Sequence, residues 1–429
     1  MLSGGKTVLI GLDGAPYGLV KDLTDNGVMP NLGEILSEGS FCKINSSLPE
    51  ISSTAWATII TGSNPGEHGL YGFTDLAAGT YTTIFPNFTQ IKKAPFWMEE
   101  DFSCRTDKRY SILNVPVTYP AREVNGIHIS GFVALDLDKA IYPPDLYEEL
   151  SANDYRIDVD AYKAHESMTN FLRDLDLTLD KRIQMAWSIW EKEDWDVFMM
   201  VFTGTDRLSH FLWNAYEDNG HEHHDAFLDH FRRIDEYIGS LYGRLSDGDT
   251  IAFVSDHGFE LLEQEVFINR YLYEWGYLKL KQFPAKSYND IDSDTSAFCM
   301  DPGRIYVNIE GEYPRGSVAA DEVESLCAEI SDRFMELEID GKKVVSEVFR
   351  KEDIFAGPCA DKAPHLVLIG GEGFDLKGSI KSEVFAAKNI FNGKHTYDNA
   401  FWGKRVLGDV DGSENGISCI QEVRGALGL

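Results

Sequence analysis

The stretch Thr7–Gly14, TVLIGLDG, decides how this chain is read: an unbroken apolar, β-branched run that stops on Asp13 and Gly14. A run with no alternation of polar and apolar residues belongs to a strand covered on both faces, the usual state in a parallel sheet. Three more stretches repeat the pattern: RYSILNVPV (109–117), DVFMMVFTGTD (196–206), which ends on Asp206, and DTIAFVSDHG (249–258), which reaches Asp256 near its end. A fifth, APHLVLIGG (363–371), centred on Leu366 to Ile369, is expected to join the same sheet. Helical stretches fall between them, among them LTLDKRIQMAWSIWEKE (177–193) and HFRRIDEYIGSLYGRL (230–245). Strands alternating with helices give an α/β fold with a doubly wound, mainly parallel sheet and helices on both faces.

Residues 264–359 read differently. Aromatic segments, a polar loop (SYNDIDSDTS, 287–296) and a helix near Ala320 to Leu337 suggest an inserted α+β subdomain, with 1–263 and 360–429 forming the core. The composition, 43% hydrophobic and 25% charged, is that of a chain able to bury a large interior.

Charge narrows the function. Seventy acidic residues against 39 basic give a formal net charge of −31, a field that repels nucleic-acid polymers. The same field opposes an incoming phosphate ester, so a site for one needs local positive charge, which bound divalent cations supply. The six cysteines are scattered without a CxxC pair, which suits a reducing compartment. The opening MLSGGKTVLIGLDG has no leader-like apolar region, and no stretch approaches the ~20 apolar residues of a membrane span. A cytoplasmic protein acting on a small molecule is expected.

Open α/β sheets bind ligands at the carboxyl ends of their strands. A single Asp there is most often a helix cap or turn residue; Asp13, Asp206 and Asp256 at corresponding places point to one site. Histidines accompany them. In TDRLSH, His210 follows Asp206 by four residues, so on a helical turn both face one point. His257 adjoins Asp256 in VSDHGF, and His395 is expected in a Gly-flanked loop, NGKHTYDN (392–399). Carboxylates and imidazoles in this number suffice for two borderline divalent ions, zinc first and manganese second. The other histidine cluster, HEHH at 221–224, sits in a polar stretch and reads as a solvated loop.

A nucleophile must complete such a site. In LPEISSTAWATIITGSNPGEHGLYGF (48–73), Ser52, Ser53 and Thr54 precede an apolar helix that ends at Gly62. Hydroxyls there are ordinary caps, yet the N-terminus of a helix also suits a phosphate. A zinc ion lowers the pKa of a bound hydroxyl, so a serine could attack without a histidine base. No GxSxG elbow is present, so an α/β-hydrolase triad has no support.

Taken in order, VLIGLDG, MPNLGEILSEGS, SSTAWATIITGSNPGEHGLYGF, LNVPVTYP, YPPDLYEEL, FTGTDRLSHFLW, VSDHGF, APHLVL and GKHTYD resemble the type I phosphodiesterase/nucleotide pyrophosphatase branch of the alkaline phosphatase superfamily, over most of the chain. The resemblance implies one zinc on Asp206, His210 and His395, and a second on Asp13, Asp256, His257 and the nucleophile. By motif position that nucleophile is Ser52, with Ser53 and Thr54 the alternatives; many members carry a Pro where this chain has Thr54. It also implies a phosphoseryl intermediate and hydrolysis of phosphodiester or pyrophosphate bonds in nucleotide-type substrates. A monoesterase, a phosphosugar mutase and a non-catalytic metal-stabilised binder are the rival outcomes. No Arg falls at the position by which monoesterases grip free phosphate oxygens, which favours diesters. Asn114, in LNVPVTYP, is a candidate for lining the substrate pocket.

Overall fold

The computed structural model describes residues 5–408 and 416–429. Its largest sheet has eight strands, labelled here in chain order: β1 Thr7–Leu12, β2 Ser40–Ile44, β3 Tyr110–Val115, β4 Gly126–Ser130, β5 Ile141–Tyr142, β6 Val197–Phe202, β7 Thr250–Val254 and β8 Ala400–Val406. Their spatial order is β2-β8-β7-β1-β6-β3-β4-β5. The five strands from β7 to β4 are parallel to one another. β2, β8 and β5 run antiparallel to their neighbours at the edges. The doubly wound, mainly parallel sheet expected from the apolar runs is the one observed.

Alternate residues of β1 serve two cores, which is why the run carries no polar position. Val8, Ile10 and Leu12 pack with Phe171, Leu175 and Ile189 of helix α2 (Met168–Lys192) and with Phe231 and Ile238 of helix α4 (His224–Tyr242). Leu9 faces the other way, against Trp56, Ile59 and Ile60 of helix α1 (Ser52–Thr61). Burying each such side chain contributes about 1.5–3 kcal/mol. Gly11 breaks the run for a steric reason: a Cβ there would sit 2.3 Å from the Trp56 ring and 2.9 Å from Val201.

The fifth apolar run is a correction. Leu366–Gly370 does not enter the large sheet; it pairs antiparallel with Arg304–Val307 and Val345–Arg350 in a separate four-stranded sheet. Leu366 and Leu368 face one apolar cluster and Val367 another. Cover on both faces produces the same unbroken pattern whichever way the neighbouring strands run. This second sheet therefore draws a strand from beyond residue 359. No helix among the described residues is long and apolar enough to cross a membrane.

Candidate metal centre

β7, β1 and β6 lie side by side and in register, Gly11 opposite Val254 and Leu12 opposite Phe202, so their carboxyl ends open on one edge. Asp13 leaves β1 at that edge and Asp256 leaves β7. Asp206 and His210 follow β6 in helix α3 (Gly204–Glu217). His395 arrives on a short strand, Gly393–Thr396, paired antiparallel with Gly258–Leu261, with His395 opposite Phe259. The sequence suggested a loop there; the two-stranded sheet instead stacks the His395 ring on His257, centroids 3.6 Å apart. Ser52 opens helix α1, and its Oγ lies 3.2 Å from His257 Nε2.

The seven residues expected from the sequence are thus brought together. Asp206, His257 and His395 form one group of donor atoms lying within 4.8 Å of one another, and Asp13, Asp256 and His257 form another. His210 Nε2 joins the first, 3.0 Å from His395 Nε2 and 3.4 Å from Asp206 Oδ1. Among the three hydroxyls only Ser52 reaches a histidine; Ser53 Oγ and Thr54 Oγ1 are buried without hydrogen-bond partners.

The imidazoles are oriented from behind. Nδ1 of His210 lies 3.1 Å from the Gly393 carbonyl, that of His395 3.0 Å from Glu50 O, and that of His257 3.1 Å from Gly258 O. A carbonyl only accepts, so Nδ1 carries the proton and, in the neutral ring, Nε2 offers a lone pair to the centre. Burial holds His210 neutral, with its pKa pulled down to about 4, and pulls His257 well below the usual histidine range. His395 is raised instead: burial opposes its charge, but the hydrogen bond and charge of Asp206 outweigh that.

The carboxylates show what is needed here. Burial, then repulsion from Asp256 and Asp206, pushes Asp13 well above the carboxylate range, and burial lifts Asp256 to about 7. Asp206 moves the other way, because His210, His395 and Arg207 outweigh its burial. Asp13 Oδ1 and Asp256 Oδ2 are buried with no hydrogen-bond partner. Orphaned carboxylate oxygens are costly inside a protein, and a divalent cation facing neutral imidazoles would answer both the charge and the empty lone pairs. The donor set fits two such ions.

Further anchors fix the ring of ligands. The Gly14 N–H donates to Asp256 Oδ1 (3.0 Å), Trp56 Nε1 to Asp13 Oδ2 (3.3 Å), and Thr205 Oγ1 to the Asp13 carbonyl (2.6 Å). One participant had no signal in the sequence. Arg207 donates from Nη1 to Asp206 Oδ2 (3.1 Å) and from Nε and Nη2 to Asp158 Oδ2 (3.2 and 2.9 Å), with its guanidinium 4.0 Å above the Phe132 ring. Only the fold brings Asp158 to it.

Asn114, one residue before the end of β3, adopts a left-handed conformation (φ 59°) and is buried, its Oδ1 accepting from Tyr155 OH at 2.6 Å while Nδ2 has no partner. His221, His223 and His224 lie at the start of α4, away from both donor groups.

The model of the type I phosphodiesterase / nucleotide pyrophosphatase family matches residues 7–398. No curated protein matches the chain in sequence. Among solved structures, phosphonoacetate hydrolase from Sinorhizobium meliloti 1021 is similar in two crystal structures, in complex with phosphonoformate and with phosphonoacetate. Each shares 14% identity at a TM-score of 0.65, covering 99% of this chain and 95% of that one. At that identity the likeness is one of fold. Since the family model spans nearly the whole chain, from β1 through the short strand that carries His395, the chain belongs to the type I phosphodiesterase/nucleotide pyrophosphatase family of phosphoester hydrolases.

Proposed function

We propose that this chain is a metal-dependent hydrolase of phosphodiester or pyrophosphate bonds that works through two divalent ions, zinc or alternatively manganese, and a phosphoseryl intermediate. The observation that carries it is the placing of Ser52 Oγ 3.2 Å from His257 Nε2, at the lip of two adjoining Asp/His donor groups. Asp13, Asp256, His257 and Ser52 would hold one ion, and Asp206, His210 and His395 the other. Bound there, the ions would lower the pKa of a hydroxyl and carry charge on the attacking and departing oxygens of an in-line displacement.

The chain's own part is positional. Ser52 Oγ gives up its proton to solvent water and forms a bond to phosphorus, while the opposite P–O bond breaks and the departing oxygen takes a proton from the same solvent. A water molecule then attacks the phosphoserine, the Ser–O–P bond breaks, and Ser52 regains its proton. Helix α1 has no side-chain cap at its N-terminus, so its positive end is free to face the phosphate.

Hydrolysis of bis-p-nitrophenyl phosphate against p-nitrophenyl phosphate, with zinc or manganese and with chelator, tests this reading. Faster, chelator-sensitive diester cleavage is expected. Ser52→Ala should abolish turnover while retaining metal by elemental analysis; an active variant would remove Ser52 from the chemistry. Monoester preference would move the enzyme to the phosphatase side, and silence on both esters would favour a binding protein.

A further inference from the structure

Helix α1 sends two side chains into the metal centre. Ser52 opens the helix and Trp56 follows one turn later, so the two positions share a face. Ser52 Oγ lies 3.2 Å from His257 Nε2, and Trp56 Nε1 donates to Asp13 Oδ2 at 3.3 Å. The other hydroxyls of the helix do not reach the centre: Thr58 Oγ1 and Thr61 Oγ1 donate to helix carbonyls, and Ser53 Oγ and Thr54 Oγ1 have no partner. Trp56 is fully buried, and its ring reaches β1 because residue 11 is glycine; a Cβ there would collide with the ring. The indole thus bridges helix α1 and the strand that leads into Asp13.

That single donor decides which oxygen of Asp13 is available. An indole nitrogen only donates, so Oδ2 is occupied from the helix side, while Oδ1 is buried without a partner. Around His257 Nε2 lie Ser52 Oγ at 3.2 Å, Asp256 Oδ2 at 3.3 Å and this free Asp13 Oδ1 at 3.7 Å. Asp256 is arranged the same way, with Oδ1 taken by the Gly14 N–H and Oδ2 left free. The two tethers differ in where they are rooted. Gly14 belongs to the turn after β1, whereas Trp56 belongs to the helix that carries the nucleophile. The N-terminus of that helix has no side-chain cap, and the Ser52 hydroxyl meets only His257. Its place is therefore set by the body of the helix, and Trp56 is the side chain that ties this body to a candidate ligand of the ion.

We infer that Trp56 is a positioning residue that keeps Ser52 in register with the ion Asp13 would hold. This deepens the two-ion reading above and rests on it. A tilt or slide of helix α1 that moves the hydroxyl also moves the N–H that fixes Asp13, so nucleophile and carboxylate shift together. Coupling of this kind is reciprocal: whatever the N–H contributes to ion binding, the bound ion returns to the placing of the helix.

Replacing Trp56, in the full chain, by β-(3-benzothienyl)alanine tests the inference, since that side chain keeps the bicyclic shape and puts sulfur in place of the N–H. Trp56→Phe is the simpler companion. Zinc content after dialysis against a weak chelator, kcat and KM for bis-p-nitrophenyl phosphate, and the thermal melt are measured on each. Both variants should keep one zinc where the wild type keeps two, the affinity for the lost ion falling about tenfold or more. With zinc in excess, so that both donor groups are filled, kcat should stay down severalfold at an unchanged KM, and the benzothienyl chain should melt as the wild type does. Wild-type zinc content with wild-type kcat in the benzothienyl chain overturns the inference, because the N–H then positions nothing. Full recovery of kcat in excess zinc overturns it too, by confining Trp56 to ion affinity. So does loss of both ions with a lowered melt or no folded protein, which makes position 56 a matter of packing or folding alone. Should only Trp56→Phe fail to fold, the benzothienyl chain still decides. Wild-type protein that holds no zinc, or cleaves no diester with zinc bound, overturns the reading beneath and the inference with it.

Discussion

Arg207→Met isolates the contribution of a charge that touches Asp206 from outside the donor groups. Methionine keeps most of the volume over Phe132, so the perturbation is the loss of the guanidinium and little cavity follows. One charge-assisted hydrogen bond to Asp206 Oδ2 disappears, and with it the link to Asp158. The Arg207 side chain is only 15% exposed, so the bond is worth more than a surface pair, about 1.5–3 kcal/mol. Expressed as affinity that is about 10–100-fold, the range found when partners of metal ligands are removed. Competition with a chromogenic chelator at fixed pH reads the affinity directly, and a thermal melt reports stability separately. Metal affinity should fall by one to two decades, with Asp158→Asn falling less because Arg207 still reaches Asp206. An Arg207→Met protein that binds metal within about twofold of wild type would refute the reasoning.

Two further perturbations address the acid limit and the turn beneath the centre. Burial, then the charges of Arg233 and Arg182, lowers the His230 pKa to about 3, and burial takes His68 and His365 to about 3 and His128 to about 4. Each is lower in the folded protein than the ordinary ~6.5 of the unfolded chain. The neutral forms therefore stabilise the fold fully above pH ~6.5, and that contribution is lost as pH falls toward the folded values, by about 1.4 kcal/mol per unit for each histidine. His230→Phe should narrow the difference in unfolding free energy between pH 7 and pH 5 by about 2 kcal/mol, measured by urea titration; an unchanged gap would count against the assignment. Gly14→Ala places a Cβ 2.7 Å from the Phe259 ring and 3.1 Å from His257 Cε1, at φ +65°. Stability should fall by about 1–2 kcal/mol and diester turnover should drop with it, whereas full turnover would show that His257 tolerates displacement.

Much of the centre was legible because its residues sit where local pattern and topology coincide. Asp13, Asp206 and Asp256 stand just beyond buried strands, and a parallel sheet sends those ends to one edge. Asp206 and His210 were readable from helical spacing alone. What the chain could not announce was partnership across distance. Arg207 matters through Asp158, which is 49 residues away. Leu366–Gly370 looked like a core strand because burial on two faces erases the alternation that distinguishes sheets. Asn114 stood in a motif, yet its Oδ1 is taken by Tyr155, a residue with no signal to mark it. Ser52 was separable from Ser53 and Thr54 by motif position; the geometry adds that only its hydroxyl meets His257.

The strand pairing that delivers His395 also sets a schedule. Its contact with Asp206 joins residues 189 positions apart. At translation rates of about 5–20 residues per second, roughly 10–40 s separate the emergence of Asp206 and His210 from that of their third partner. In that interval Asp13, Asp256 and His257, the second donor group, are already made, while the first group still lacks His395. Capture of an ion by the group that contains His395 would therefore come after the central strands have been made, and its free energy would go into holding the finished molecule closed. A cell short of the ion would accumulate a folded but loosely fastened protein, vulnerable first where residues 393–396 must stay paired.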